Sequence, residues 1–94
     1  MNWTEVLGLL AGFCTTIAVT PQLIKTWKTK SVEDISIKMF SVLTTGLLLW
    51  AIYGVIKSDL PILITNGISF TLNCIMVIFY FLYKDNDDKK SEDD

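Results

Sequence analysis

Three long stretches without a charged residue constrain the fold of this chain more than any other feature. They cover residues 6–24, 39–56 and 60–83, and they contain 19, 18 and 24 residues. A helix that crosses the hydrocarbon core of a bilayer needs about 20 mostly apolar residues, and its backbone must satisfy its own hydrogen bonds. The sequence therefore predicts an all-α membrane protein with three transmembrane helices, at about 6–24, 37–56 and 60–83. A soluble three-helix bundle is disfavoured, because its helices would need a polar stripe built largely from charged residues.

The charged residues outside these stretches exclude several classes of function. Residues 84–94, KDNDDKKSEDD, hold three Lys and six acidic residues, which predicts a disordered cytoplasmic tail after a single membrane domain at 1–83. No basic patch with interleaved aromatic residues is present, so nucleic acid is not an expected partner. The chain has no His, and Cys14 and Cys74 both lie in apolar stretches. We therefore expect no metal site, no cofactor and no enzymatic activity.

The lysines near the span ends predict how the chain is oriented. The first connection carries four of them and the second, Lys57-Ser58-Asp59, carries one. Because cytoplasmic connections are enriched in Lys and Arg, we expect the first connection and the C-terminus inside, and the N-terminus and second connection outside. The expected location is the cell (inner) membrane, with the lipid bilayer around all three helices.

A Pro-Gln pair, Pro21-Gln22, lies at the cytoplasmic end of the first stretch. Proline lacks a backbone N–H, and its ring clashes with the preceding turn of a helix. We therefore expect the first span to bend there. The bend could be a static kink or a hinge that opens the cytoplasmic end, and the proline alone favours the static kink.

The polar residues inside the stretches are uncharged, and this points to the kind of solute that a pathway could carry. An amide in hydrocarbon is costly without a partner, so Asn66 and Asn73 must face protein or a water-filled cavity. An indole such as Trp50 can stack on the C–H face of a sugar while an amide such as Asn66 bonds its hydroxyls. Proton-driven carriers usually need an ionisable group inside the membrane, and none lies in these stretches. The sequence favours a uniporter for a neutral solute, and three helices are too few to enclose its path without a second copy.

The motifs resemble those of one known family. TPQ at residues 20–22, LLLWAIYG at 47–54, KSDLPI at 57–62 and the following Asn66 are together similar to the bacterial SemiSWEET sugar transporters. These are single three-helix units of the PQ-loop and SWEET superfamily, and the resemblance covers residues 5–83. It implies a bundle whose third helix packs between the first and the second, and a parallel homodimer with a sugar pocket on its two-fold axis.

The resemblance also implies roles for individual residues. Those expected at functional positions are Trp50 and Asn66 in the sugar pocket, Pro21 and Gln22 at the hinge, Tyr53, Lys57 and Asp59 at the outer gate, and Met39 and Phe40 at the inner gate. Lys57 stands where some relatives have Arg, and a lysine bonds less rigidly than an arginine, which predicts a looser gate.

Three functional hypotheses remain open at this point. The first is facilitated transport of a small neutral mono- or disaccharide by alternating access in a homodimer. The second keeps the fold but carries another small solute, such as an amino acid. The third is a membrane subunit that scaffolds a partner and transports nothing.

Overall fold

The computed structural model describes residues 2–93, and it describes the side chains of residues 2–86. The described chain consists of four helices: α1 (Trp3–Ala18), α2 (Thr20–Thr29), α3 (Ile37–Ile56) and α4 (Leu60–Asp93). Three helical segments are long and apolar enough to cross a membrane: Trp3–Thr29, Ile37–Ile56 and Leu60–Asn86. The prediction of an all-α protein with three membrane-length helices is confirmed.

The boundaries of α3 and the start of α4 are set by capping. The Ser36 hydroxyl accepts a hydrogen bond from the backbone N–H of Met39 at 3.2 Å and caps the start of α3. At its other end Ser58 is left-handed, with φ 53°. The N–H of Asp59 donates to the carbonyl of Gly54 at 2.8 Å, and that of Ser58 donates to Val55 at 3.2 Å. This is a Schellman arrangement, which ends α3 and lets α4 begin at once in the opposite direction.

The regular helix of the first span is interrupted for one residue, Val19, just before the Pro-Gln pair, while the backbone of Val19 stays in the right-handed helical region (φ −82°, ψ −19°). α1 ends at Ala18, and α2 restarts at Thr20 with Pro21 in its first turn. A proline is tolerated in the first turn because the N–H groups there have no intrahelical partner. The predicted helix at 6–24 is therefore two helices. The second continues to Thr29, beyond the uncharged stretch, because its lysines lie at the end that leaves the membrane.

The tail differs from the sequence-based expectation. The backbone of α4 continues as helix to Asp93, where a disordered tail over 84–94 was expected. Residues 84–93 contain neither Gly nor Pro, and Lys residues follow acidic ones at helical spacing, which supports a helix. The side chains after residue 86 and residue 94 itself lie outside the described part of the chain.

α4 packs between the other two spans. It contacts α3 along most of that helix and also contacts α1 and α2. Within the described residues, no Cα atom of α1 lies within 8 Å of one in α3. The expected arrangement, with the third span between the first and the second, is confirmed, and it leaves a gap between α1 and α3 above one face of α4.

Small residues and hydroxyl groups hold α1 close to α4. A Cβ atom placed on Gly12 would lie only 2.7 Å from Oγ1 of Thr65 and closer still to its Cβ and Cγ2. One turn further along, the Thr16 and Ser69 hydroxyls are hydrogen-bonded at 2.6 Å. Because lipid supplies no hydrophobic force between helices, such close approach and polar bonding are the main sources of attraction.

A small core and a cationic contact join the opposite end of the bundle. Val19, Phe40 and Met76 form the buried cluster there. Beyond it, the Lys30 ammonium lies 5.1 Å from the ring centres of both Trp27 and Tyr83 and donates to the Tyr83 hydroxyl at 3.3 Å. These contacts fix the end of α2 against α4.

Candidate functional site

The gap between α1 and α3 contains a pocket of about 550 Å³, here called the Trp50 pocket. α3 supplies Trp50, and α4 supplies Asn66 among others. The full lining is Gly8, Ala11, Gly12, Thr15, Trp50, Pro61, Ile62, Thr65, Asn66 and Ser69. The structure thus brings together, from two helices, the two residues that the sequence analysis placed in a sugar pocket.

Trp50 and Asn66 both have groups in this pocket that are free to contact a ligand. The indole is 53 % exposed, and the Tyr53 ring packs against it edge to face, with centres 5.5 Å apart and planes at 79°. The Asn66 amide donates to the Ile62 carbonyl at 2.9 Å, which leaves its carbonyl oxygen and its other N–H for a ligand. The site therefore offers the apolar face of an indole ring and an amide that can both donate and accept hydrogen bonds.

A second pocket, here called the Phe40 pocket, continues the groove away from the α3–α4 turn. Its volume is about 270 Å³, and its lining is Thr15, Ala18, Val19, Gln22, Met39, Phe40, Leu43, Leu47, Ser69 and Asn73. Thr15 and Ser69 line both pockets, so the two are adjoining parts of one groove.

The residues expected at the hinge and at the inner gate lie around the Phe40 pocket but differ in burial. Met39 is 54 % exposed, whereas Phe40 is 2 % exposed and belongs to the buried cluster. Gln22 lines this pocket and also the surface pocket next to it, while Pro21 is exposed beside it. Met39 is thus exposed at the pocket, whereas Phe40 is packed in the core at the end of the groove.

Two of the residues expected at the outer gate, Lys57 and Asp59, lie together at the α3–α4 turn, whereas the Tyr53 ring packs against Trp50. Lys57 and Asp59 line a pocket of about 240 Å³ together with Glu5 from α1, an acid that the sequence analysis did not single out. The Asp59 carboxylate accepts from the backbone N–H of Ile62 at 3.2 Å and so caps α4. Among the described residues the only ion pair joins Lys25 and Asp34, both exposed. Lys57 and Asp59 therefore lie together without being paired.

The groove is chemically neutral along both pockets. Its polar groups are hydroxyls and amides, and no Asp, Glu, Lys or Arg among the described side chains lines either pocket. Such a lining can hydrogen-bond an uncharged polar solute, but it offers no counter-charge to an ion. Thr15 and Ser69, which connect the pockets, were not recognised as site residues, because isolated hydroxyls in a membrane helix are usually packing groups.

Comparison with known proteins identifies the family to which this chain belongs. The model of the PQ loop repeat matches residues 3–63. The sugar transporter SemiSWEET of Bradyrhizobium diazoefficiens is 44 % identical over 68 residues, which cover 72 % of this chain and 79 % of that protein. The chain belongs to the SemiSWEET family. It is therefore a multi-pass membrane protein, and its relatives are named as transporters and not as enzymes.

Other SemiSWEET proteins and two crystal structures agree. The sugar transporter SemiSWEET of Leptospira biflexa is 37 % identical over 77 residues, covering 82 % of this chain and 88 % of that protein. The crystal structure of a bacterial homologue of SWEET transporters superimposes with a TM-score of 0.83 at 35 % identity, covering 87 % of this chain and 99 % of that one. The structure of SemiSWEET in the inward-open conformation gives 0.80 at 32 % identity, with 98 % and 99 % covered. The three-helix SemiSWEET fold thus extends over nearly the whole chain.

Proposed function

We propose that this SemiSWEET protein transports a small neutral sugar, a mono- or disaccharide, across the membrane. The observation that carries the proposal is the Trp50 pocket, where an exposed indole and a half-buried amide lie in an uncharged groove. Its volume of about 550 Å³ is within the range of small-molecule sites, roughly 300–1,000 Å³. The names of the relatives, sugar transporters from three bacteria, point to the same solute class.

We further propose that the working unit is a parallel homodimer. The groove is open along the α1–α3 gap, because no Cα atom of α1 lies within 8 Å of one in α3 among the described residues. A second copy related by a two-fold axis would cover it and place a second Trp50 and Asn66 opposite the first pair. The unpaired Lys57 and Asp59 would then find their gate partners across the axis, beside Tyr53.

Alternating access is the mechanism we propose for this dimer. The break at Val19, followed by Pro21, lets α2 swing relative to α1, and the swing would open or close the Phe40 pocket that Gln22 and Met39 line. The states need to differ by only a few kcal/mol. Since no ionisable group among the described residues lines the groove, transport would be uniport. The distribution of lysines would place the N-terminus outside and the C-terminus in the cytoplasm.

The break before Pro21 gives the first testable prediction. Replacing Pro21 with Ala restores the missing N–H, favours one continuous helix from Trp3 to Thr29, and is expected to slow sugar exchange severalfold. Stopped-flow or counterflow rates in liposomes measure the effect. Thr20→Ala keeps the proline and serves as the matched control, with an unchanged rate expected. Equal rates for Pro21→Ala and the control would make the break a static kink.

The two competing functions are separated by the same preparation. A carrier of another solute, such as an amino acid, would exchange its own substrate but would not exchange sugars. A scaffold subunit would move no solute when reconstituted alone.

A further inference from the structure

Among the residues whose side chains are described, one buried polar side-chain atom has no hydrogen-bond partner, and it belongs to a residue that lines the groove. Asn73 on α4 is 3 % exposed, and its amide N–H donates to the carbonyl of Ser69 at 2.8 Å. Because a carbonyl can only accept, this bond fixes which end of the amide is nitrogen. The remaining oxygen, Oδ1, is enclosed and has no partner among the described residues.

An enclosed acceptor without a donor is costly, and lipid offers no donor. Leaving such a group unpaired costs on the order of 1–3 kcal/mol, and in native proteins most such atoms are paired. Oδ1 is enclosed by the chain rather than exposed on its outer face, and the cavity that Asn73 itself lines is the Phe40 pocket, so a donor that enters this pocket is the nearest source of a partner.

The Phe40 pocket repeats the chemistry of the Trp50 pocket at a second level. From Asn66 to Asn73 is seven residues, or about 10 Å along α4 at 1.5 Å per residue. From Trp50 to Phe40 runs the same way, away from the turn, because α3 and α4 are antiparallel. Each level therefore has one aromatic residue on α3 and one amide on α4, with Trp50 exposed and Phe40 packed in the buried cluster, and Thr15 and Ser69 line both pockets.

We propose that the Phe40 pocket is a second sugar-binding station, in which Asn73 Oδ1 accepts a hydrogen bond from a sugar hydroxyl. This second site rests on the proposed sugar transport. It would hold the sugar between the Trp50 pocket and the end of the groove near Gln22. A hydroxyl suits the site because the lone acceptor needs a donor and no charged side chain lines the pocket. In the structure Oδ1 is covered, so the bond requires a rearrangement of the residues around the Phe40 pocket.

The test is the concentration dependence of glucose and sucrose exchange by the full-length protein in liposomes. Asn73→Leu is similar in size and removes the acceptor, and Asn73→Ala is the second variant in case leucine prevents folding. We expect the half-saturating concentration to rise, or the exchange rate to fall, by about 5- to 10-fold, as for one lost hydrogen bond of about 1–1.5 kcal/mol. Thr71→Val on the exposed side of α4, where the hydroxyl bonds only its own helix at Gly67, is the matched control and should behave as wild type.

Two further readouts separate the station from a structural role. Monodeoxy glucose analogues should identify one hydroxyl whose removal slows wild-type exchange and has no further effect in Asn73→Leu. The unfolding temperature of Asn73→Leu in detergent should equal or exceed that of wild type, because an unpaired acceptor has been removed. Wild-type kinetics for both Asn73 variants would overturn the station while leaving sugar transport intact. A wild-type protein that exchanges neither sugar would instead overturn the proposed function on which the station rests.

Discussion

Replacing Trp50 with Ala is expected to abolish the proposed sugar exchange while leaving the fold and the proposed dimer intact. Trp50 is the only residue that α3 contributes to the Trp50 pocket, and more than half of its surface is exposed. Removing the indole therefore takes away the plate on which a sugar would stack, without opening a hole in the buried cluster around Phe40. In a two-fold dimer the change would occur twice in one pocket, so we expect at least a 100-fold loss, equivalent to about 2.7 kcal/mol.

The measurement is counterflow into liposomes, paired with size-exclusion chromatography of the same preparation in detergent. Trp3→Ala is the matched control, because Trp3 is 86 % exposed at the start of α1 and lies in neither pocket. We expect wild-type exchange for that control. Normal uptake by Trp50→Ala would remove Trp50 from the sugar pathway.

Replacing Gly12 with Ala is expected to cause the largest loss of stability among single small substitutions in α1. The new Cβ would collide with Cβ of Thr65, an atom that no side-chain rotation can move away. α1 and α4 would have to separate, which would also strain the hydrogen bond between Thr16 and Ser69. Overpacking of this kind typically costs about 1–3 kcal/mol.

Thermal unfolding in detergent, followed by circular dichroism, measures this cost. Gly67→Ala is the matched control, since a Cβ there meets nothing within 4 Å and alanine favours helix by up to about 1 kcal/mol. Thr65→Gly in the Gly12→Ala background should recover part of the loss by restoring the space. An unfolding temperature for Gly12→Ala equal to that of Gly67→Ala would contradict the close packing of α1 on α4.

The spans could be predicted because in lipid the charged residues mark where a helix must leave the membrane. Lys57 and Asp59 bracket the turn, and the predicted limits of the second span and the start of the third agree with α3 and α4. A bend was expected at Pro21, but the interruption of the helix at Val19 and the continuation of α4 to Asp93 were not predicted. Both depend on whether helix persists across a proline or into water, which the apolar pattern does not decide.

The site could be predicted only in part. Trp50 and Asn66 were singled out for their chemistry and by resemblance, and the structure places them in one pocket. The different burial of Met39 and Phe40 depends on which side of α3 meets α1 and α4, and neighbouring residues in the sequence cannot show this. The unpaired Oδ1 of Asn73 is set by a bond to Ser69 within its own helix, whereas the sequence required only that Asn73 face protein or water.

Counterflow of radiolabelled glucose and sucrose into liposomes that contain only this protein, with and without a pH gradient, tests sugar uniport most directly. We predict that at least one of the two sugars accumulates, that its accumulation is equal in the presence and absence of the gradient, and that it is lost in Asn66→Ala. Accumulation that requires the proton gradient would contradict uniport through a neutral groove, and no flux of either sugar would contradict the proposed transport of these sugars.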